Sequence, residues 1–294
     1  MHPSCRTLAI LPVLLLLAQT QGAEPATTSP ALRCETILVE SSHAEGEWSG
    51  IHAAEYLIRL NESPKALAAF RPLAECMTPQ YRIGVWRVLA QAEPAPQDKA
   101  RYIEKIRGVL LDDTADDRLH ALESLAKLHA SIEAPGELEI VERLADSADY
   151  SGRSFAIWRL MQAKPTPKLL DLLMDELKTE DDVRRLRAAF VLGQWKPLPA
   201  ADQAKLRQLS ASEPLESIVF PYLAIAAGQA ETKRLAESKN AAHRALALKE
   251  LTNRGIAVKV APAVDLADDA PLALRQAAAF ALLMKRPNET ADAN

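Results

Sequence analysis

The sequence predicts an all-α protein, an α-solenoid of about eight helical pairs, on three observations. An arginine is followed three residues later by an apolar residue and seven later by leucine at Arg82/Val85/Leu89, Arg118/Ala121/Leu125, Arg153/Ala156/Leu160, Arg185/Ala188/Leu192, Arg244/Ala247/Leu251 and Arg275/Ala278/Leu282. A second apolar run separates most successive leucines. Glycine (10 residues) and aromatics (5%) are too scarce for a β-rich fold or a glycine-rich phosphate loop.

The anchors Leu57, Leu89, Leu125, Leu160, Leu192, Ala224, Leu251 and Leu282 stand 27 to 36 residues apart, the signature of a repeat. Positions at offsets zero, four and seven fall on one stripe of a helix, so each unit carries one helix whose alanine and leucine face inward. The first unit has Gly50 in place of the arginine and the sixth has Ser217. The intervening runs predict a second helix per unit: Ala66–Leu73, Tyr102–Leu111, Leu138–Leu144, Leu169–Leu177, Leu206–Leu209 and Val258–Leu266. Pro64, Pro96, Pro135, Pro165, Pro167 and Pro199 stand near the starts of these helices, where a missing N–H costs little. Asp112, Asp116, Asp181 and Asp269 precede anchor helices, where they can cap or meet the positive end of the dipole. Pro221 inside the sixth anchor helix predicts a kink, and Glu35–Glu40 reads as a short extended piece.

The acidic residue before the anchor helix, the arginine and the Ala/Leu pair resemble HEAT repeats of the short bacterial type, from about Trp48 to Arg286. The resemblance implies stacked helical pairs forming one elongated domain. It says little of activity, because such repeats serve scaffolds, adaptors and a few lyases. The segments Trp48…His52-Ala-Ala-Glu55 and Tyr81-Arg82-Ile83-Gly84-Val85-Trp86-Arg87 also resemble HEAT-type segments of bacterial exported proteins linked with solute uptake.

Residues 1–23 read as a signal peptide, with Arg6 before the apolar stretch Leu8–Ala18 and cleavage after Ala23. Export places the chain in a secreted or periplasmic compartment. Residues 24–47 follow as an N-terminal arm or cap, 48–286 as the solenoid, and 287–294 as a polar, disordered tail. Beyond the signal no run is long enough to span a bilayer. The mature chain keeps Cys34 and Cys76, an even pair that invites one disulfide in an oxidising compartment. In the chain-entropy model that bond would stabilise by about 4 kcal/mol and tie the arm to the first pair; the other reading is two separate small core residues. A formal charge of −4 with no basic stripe argues against nucleic acid as partner.

Two constellations carry chemistry. His52-Ala-Ala-Glu55 and His120-Ala-Leu-Glu123 each place an imidazole and a carboxylate on one helical face. With helices about 8–10 Å apart, equivalent side chains two units apart are expected on the order of 20 Å from each other, too far to share a metal. Arg87 occupies the unit between, so an ionic ladder Glu55–Arg87–Glu123 competes with a ligand site. The repeated arginines Arg82, Arg118, Arg153, Arg185, Arg244 and Arg275 form a second column, suited to bridging an aspartate before their own helix and a carbonyl of the neighbouring unit.

Opposite the leucine stripe, one column reads Glu55, Arg87, Glu123, Trp158, Phe190, Tyr222, Lys249 and Phe280. The column beside it holds His52, Gly84, His120, Phe155, Arg187 and Val219. The aromatics there either form a binding face or pack against the second helices. The binding face is drawn from His52, Glu55, Arg87, His120, Glu123, Trp158, Arg187, Phe190 and Tyr222. No nucleophile, metal or cofactor motif appears, so the expected function is an exported, non-catalytic scaffold that binds a protein or other large ligand on one solenoid face. A HEAT-like lyase, or an accessory role in solute uptake, is the alternative.

Overall fold

The inward stripe of each anchor segment folds it into a helix, and the prolines begin several of the others. The computed structural model describes residues 29–44, 46–195 and 198–285, and every regular element in them is helical. In chain order these are α1 (Pro30–Ser42), α2 (Trp48–Arg59), α3 (Ser63–Phe70), α4 (Tyr81–Ala92), α5 (Pro96–Leu111), α6 (Arg118–Lys127), α7 (Glu137–Asp146) and α8 (Arg153–Ala163). They continue as α9 (Pro167–Glu176), α10 (Asp182–Gln194), α11 (Ala200–Ser212), α12 (Phe220–Ala227), α13 (Gln229–Ala236), α14 (Ala241–Asn253), α15 (Pro262–Asp265) and α16 (Leu272–Met284). All eight anchors lie in or at the ends of the even-numbered helices. None of the sixteen is long and apolar enough to cross a membrane.

The even helices pack each on the next, from α2 on α4 through to α14 on α16. The odd helices back them from outside: α3 lies across α2 and α4, α5 across α4 and α6, α13 across α12 and α14. The stack does not stay open. Helix α16 returns to pack on α2, and α1 sits between them against both. Eight inner helices therefore close a ring, with α1 as the outer helix of the joint. An elongated domain with two free ends is overturned by this contact.

The joint is built from specific groups. Tyr56 of α2 stacks on Phe280 of α16, with ring centroids 4.7 Å apart and planes 19° off parallel. Gln276 Nε2 donates to the carbonyl of Ser49 at 3.2 Å. Arg33 of α1 donates to the carbonyl of Leu266 at 2.8 Å and to Asp268 at 2.9 Å. One continuous apolar core runs through the joint, with Leu38, Ile51, Ala54, Ala277 and Phe280 buried in it. The segment predicted as an irregular arm is thus part of the ring. Ser29 caps α1 by accepting from Leu32 N, and Pro30 fits its first turn, so Glu35–Glu40 is helical and not extended.

No disulfide joins Cys34 and Cys76. Cys34 is a buried side chain of α1 facing the core, and Cys76 follows the 3₁₀ turn Arg71–Leu73, half-buried on the core's edge. The role expected of the staple, holding the N-terminal segment down, is filled by packing against α16. Pro221 does not kink its helix either. Helix α12 starts at Phe220, so the proline sits in the first turn, where no intrahelical bond is lost.

The signal segment and the tail expected at 287–294 lie outside the described residues.

Replacing Phe280 by alanine should cost about 3–5 kcal/mol. In hydrogen exchange it should loosen α2 together with α16. Faster exchange confined to α14 and α16 would contradict ring closure.

Candidate functional site

Because the leucine stripe of each even helix faces the outer layer, the opposite column points to the ring's axis. There, toward the C-terminal ends of the inner helices, lies a chamber of about 200 Å³. Its wall takes residues from seven of the eight inner helices, α2 through α14. Glu55, Lys127, Trp158, Phe190, Tyr222 and Lys249 supply its chemistry, and the exposed Arg59 and His129 mark its rim. Trp158, His129 and Gln194 also line an adjoining cleft of about 960 Å³ that reaches Arg159 and Trp195.

The aromatic half of the wall is a chain of edge-on contacts. Phe190 meets Trp158 at 5.9 Å, Phe155 at 6.2 Å and Tyr222 at 6.4 Å, measured between centroids. These aromatics pack on one another across the inner helices, and Trp158, Phe190 and Tyr222 line the chamber. Lys127 completes this side, its ammonium 5.3 Å from the Phe190 centroid.

The charged half pairs unevenly. Arg87, only 1% exposed, donates through Nε to Glu55 at 2.8 Å and through Nη1 to Ser124 Oγ at 2.9 Å. Glu123 takes Lys127 at 2.6 Å instead of Arg87, so the predicted ladder forms its first rung only. At the rim Glu250 pairs with Arg254 at 2.5 Å. Lys249 makes no hydrogen bond or ion pair with any described residue, and its ammonium is left over.

The two His/Glu pairs come together more closely than expected. His52 Nδ1 lies 3.4 Å from Glu55, and His120 Nδ1 3.9 Å from Glu123. Both imidazoles lie against one indole, Trp48, at centroid distances of 6.5 and 5.5 Å. They cannot be further apart than those two distances together, so the separation of two full packing steps is overturned. Gly84 is the reason. A Cβ there would stand 2.9 Å from Ile51 and 3.2 Å from Trp48, so its absence lets Trp48 cross α4 toward α6. The Arg87 guanidinium also lies over this indole, 5.8 Å from its centroid. Even so, no group of three or more metal-ligating side chains forms among the described residues. Arg187, half-buried, donates to the carbonyl of Ser151 at 2.7 Å and does not line the chamber.

These environments set the protonation states. Burial pushes Glu55 upward, but Arg87, His52 and Lys127 more than offset it and hold the carboxyl well below its usual range. Burial opposes the same shift in Glu123, which Lys127 and Arg87 pull down to about 2. His52 and His120 move the other way in charge: burial lowers both and favours the neutral ring. Lys249 is lowered by burial first, then by Lys127 and Arg87, with Glu55 opposing.

Most of the repeated arginines bond partners other than those expected. The carboxylates come from beyond the arginine's own helix. Arg82 grips the fully buried Asp117 at 2.7 and 2.8 Å, Arg153 reaches Glu176 at 2.8 Å, and Arg244 reaches Asp265 at 3.2 Å. Arg185 bonds Glu213 as well as Asp182 in its own first turn. Carbonyls eight residues back accept from Arg118 (Leu110) and Arg153 (Ala145) at 3.0 and 2.7 Å. Arg275 breaks the rule, since its Nε is buried with no hydrogen-bond partner. Asp181 caps α10 as expected.

Sequence reasoning passed over Lys127 and gave Lys249 no role. Their signal was present: both sit on the axial side of inner helices, Lys249 in the singled-out column and Lys127 one turn beyond Glu123.

An unpaired lysine half-buried in a cavity destabilises the fold. Lys249→Met should therefore raise stability at neutral pH by about 1 kcal/mol, roughly 2–4 °C in Tm. Calorimetry showing a lower Tm would refute the unpaired assignment.

Acid should erode stability in two stages. His52 and His120 have folded pKa values below the unfolded 6.5, so they begin to cost stability as pH falls through 6.5. Glu123, near 2 folded against 4.5 unfolded, contributes stability that is complete above 4.5 and lost as pH falls toward 2. Denaturant midpoints measured from pH 8 to 3 should fall first below 6.5 and again below 4.5, and Glu123→Gln should remove much of the second drop.

Neither a protein-family model nor a curated protein matches the chain.

Proposed function

We propose that the chain is a non-enzymatic binding protein, built of about eight HEAT-like helical pairs and exported by its N-terminal signal, whose ligand enters the axial chamber. The observation that carries this reading is convergence. Seven inner helices bring ionic, aromatic and apolar side chains to one small cavity, which is how ligand pockets are made. Four residues of the predicted binding face, Glu55, Trp158, Phe190 and Tyr222, line the chamber, so on this reading a large ligand reaches it by a protruding group, with the adjoining cleft holding the neighbouring part. A chamber of this size also suits a solute, in keeping with an accessory role in solute uptake.

Binding is favoured over acid–base catalysis by the state of the acids. Glu55 and Glu123 are both ion-paired and held far below neutrality, so neither is a carboxylic acid ready to donate a proton at pH 7.

A thermal-shift screen of amino acids, sugars and small organic acids tests the reading. Hits that raise Tm should be lost in Leu246→Trp, which fills the chamber, and kept in Arg143→Ala on the exposed outer face of α7. A full screen with no hit sensitive to Leu246→Trp would reject the proposal.

A further inference from the structure

The chamber's charges do not balance, and the imbalance describes a ligand. Four basic side chains line or back the chamber: Lys127 and Lys249 inside it, Arg87 behind it on Glu55, and Arg59 exposed at its rim. Two carboxylates answer them, Glu55 on Arg87 and Glu123 on Lys127. Glu250 is taken by Arg254. Inside the rim, Lys249 alone of these has no ion-pair partner among the described residues; the wall around it mixes Trp158, Phe190, Tyr222, Ile225 and Leu246 with the polar Gln91, Gln194 and Asn253.

Lys249 and Lys127 also act on each other. Each comes from a different side of the ring, α14 and α6, and each lines the same cavity. Lys249 feels attraction from Glu55 and Glu250 and repulsion from Lys127 and Arg87. Lys127 has a carboxylate of its own and Lys249 has none in contact, so an anion placed between the two ammonium groups supplies the partner that Lys249 lacks. The remaining wall, Trp158, Phe190 and Tyr222, gives flat apolar faces to whatever carries that anion.

The cavity is small, about 200 Å³, which favours a compact ligand. One interior cation without a carboxylate of its own, Lys249, matches a single negative charge.

Resting on the reading of this chamber as a ligand site, we propose that it binds a small monocarboxylate with an aromatic or compact apolar body. The carboxylate sits between Lys249 and Lys127, and the body lies against Trp158, Phe190 and Tyr222.

Benzoate, benzamide and benzylamine share a body and differ in charge, so they serve as probes. Titrated calorimetrically into the full chain, benzoate should bind at least tenfold more tightly than benzamide, and benzylamine should not bind. Lys249→Gln should weaken benzoate about tenfold while leaving benzamide within about twofold. Lys249→Arg should keep most of the preference, which separates charge from cavity shape. Equal affinity for benzoate and benzamide, a preference for benzylamine, or a benzoate preference that survives Lys249→Gln would each overturn the proposal. So would failure of all three probes. If the wider screen still finds solutes displaced by Leu246→Trp, the chamber remains a binding site and only its anionic character is wrong.

Discussion

The interior of this protein exists because its first and last helices meet. Tyr56 on Phe280, Gln276 on Ser49 and Arg33 on the Leu266 carbonyl turn a stack with two ends into a ring. In an open stack the axial column would line a broad concave surface facing water. Once α16 packs on α2, the same column encloses a cavity, and every charge in it must be answered at short range. The pairing of Arg87 with Glu55, the crowding at Trp48 and the isolation of Lys249 are all consequences of that closure.

Closure also explains why the chain tolerates so many buried ions. Burying a charge is favourable only when it is paired and hydrogen-bonded. Most here are. Glu137, fully buried, accepts from Arg107 at 2.8 Å and from Arg159 at 2.9 Å, and the backbone N–H of Glu133 adds a third bond at 3.2 Å. Asp117 is held by Arg82 and by Gln80 N. The first joins α5, α7 and α8 and the second joins α4 to the start of α6, so both lock neighbouring pairs together. Lys249 stands apart from this practice, and a group that weakens the fold without a partner is what a binding site retains for its ligand.

The helices were legible because their evidence is local. The triplet spacing and the prolines act within one or two turns, so Arg118/Ala121/Leu125 marks α6 without knowledge of anything else. The pointing of Glu55, Trp158, Phe190 and Tyr222 was legible for the same reason, as the side opposite the leucines. Closure was not. It accumulates from a small rotation at each packing step, and no single residue announces it. The open-stack estimate for His52 and His120 failed on one glycine, Gly84, whose missing side chain admits Trp48. Asp117 carries no local signal of its role because its partner, Arg82, is 35 residues away. The cysteine pair misled because counting thiols carries no information about which way they face.

A ring has arithmetic that a stack does not. Repeat proteins with free ends can gain or lose a unit and unfold from their termini piece by piece. Here each inner helix has two inner neighbours and none is terminal. Deleting one pair would leave a gap that seven wedges cannot span at the same angle, and adding one would pry the joint open. The number of units is therefore fixed by geometry, much as the number of staves fixes a cask. For the same reason no fraying end is available to start unfolding, so the molecule should come apart in one cooperative event that begins by breaking the seam at Phe280.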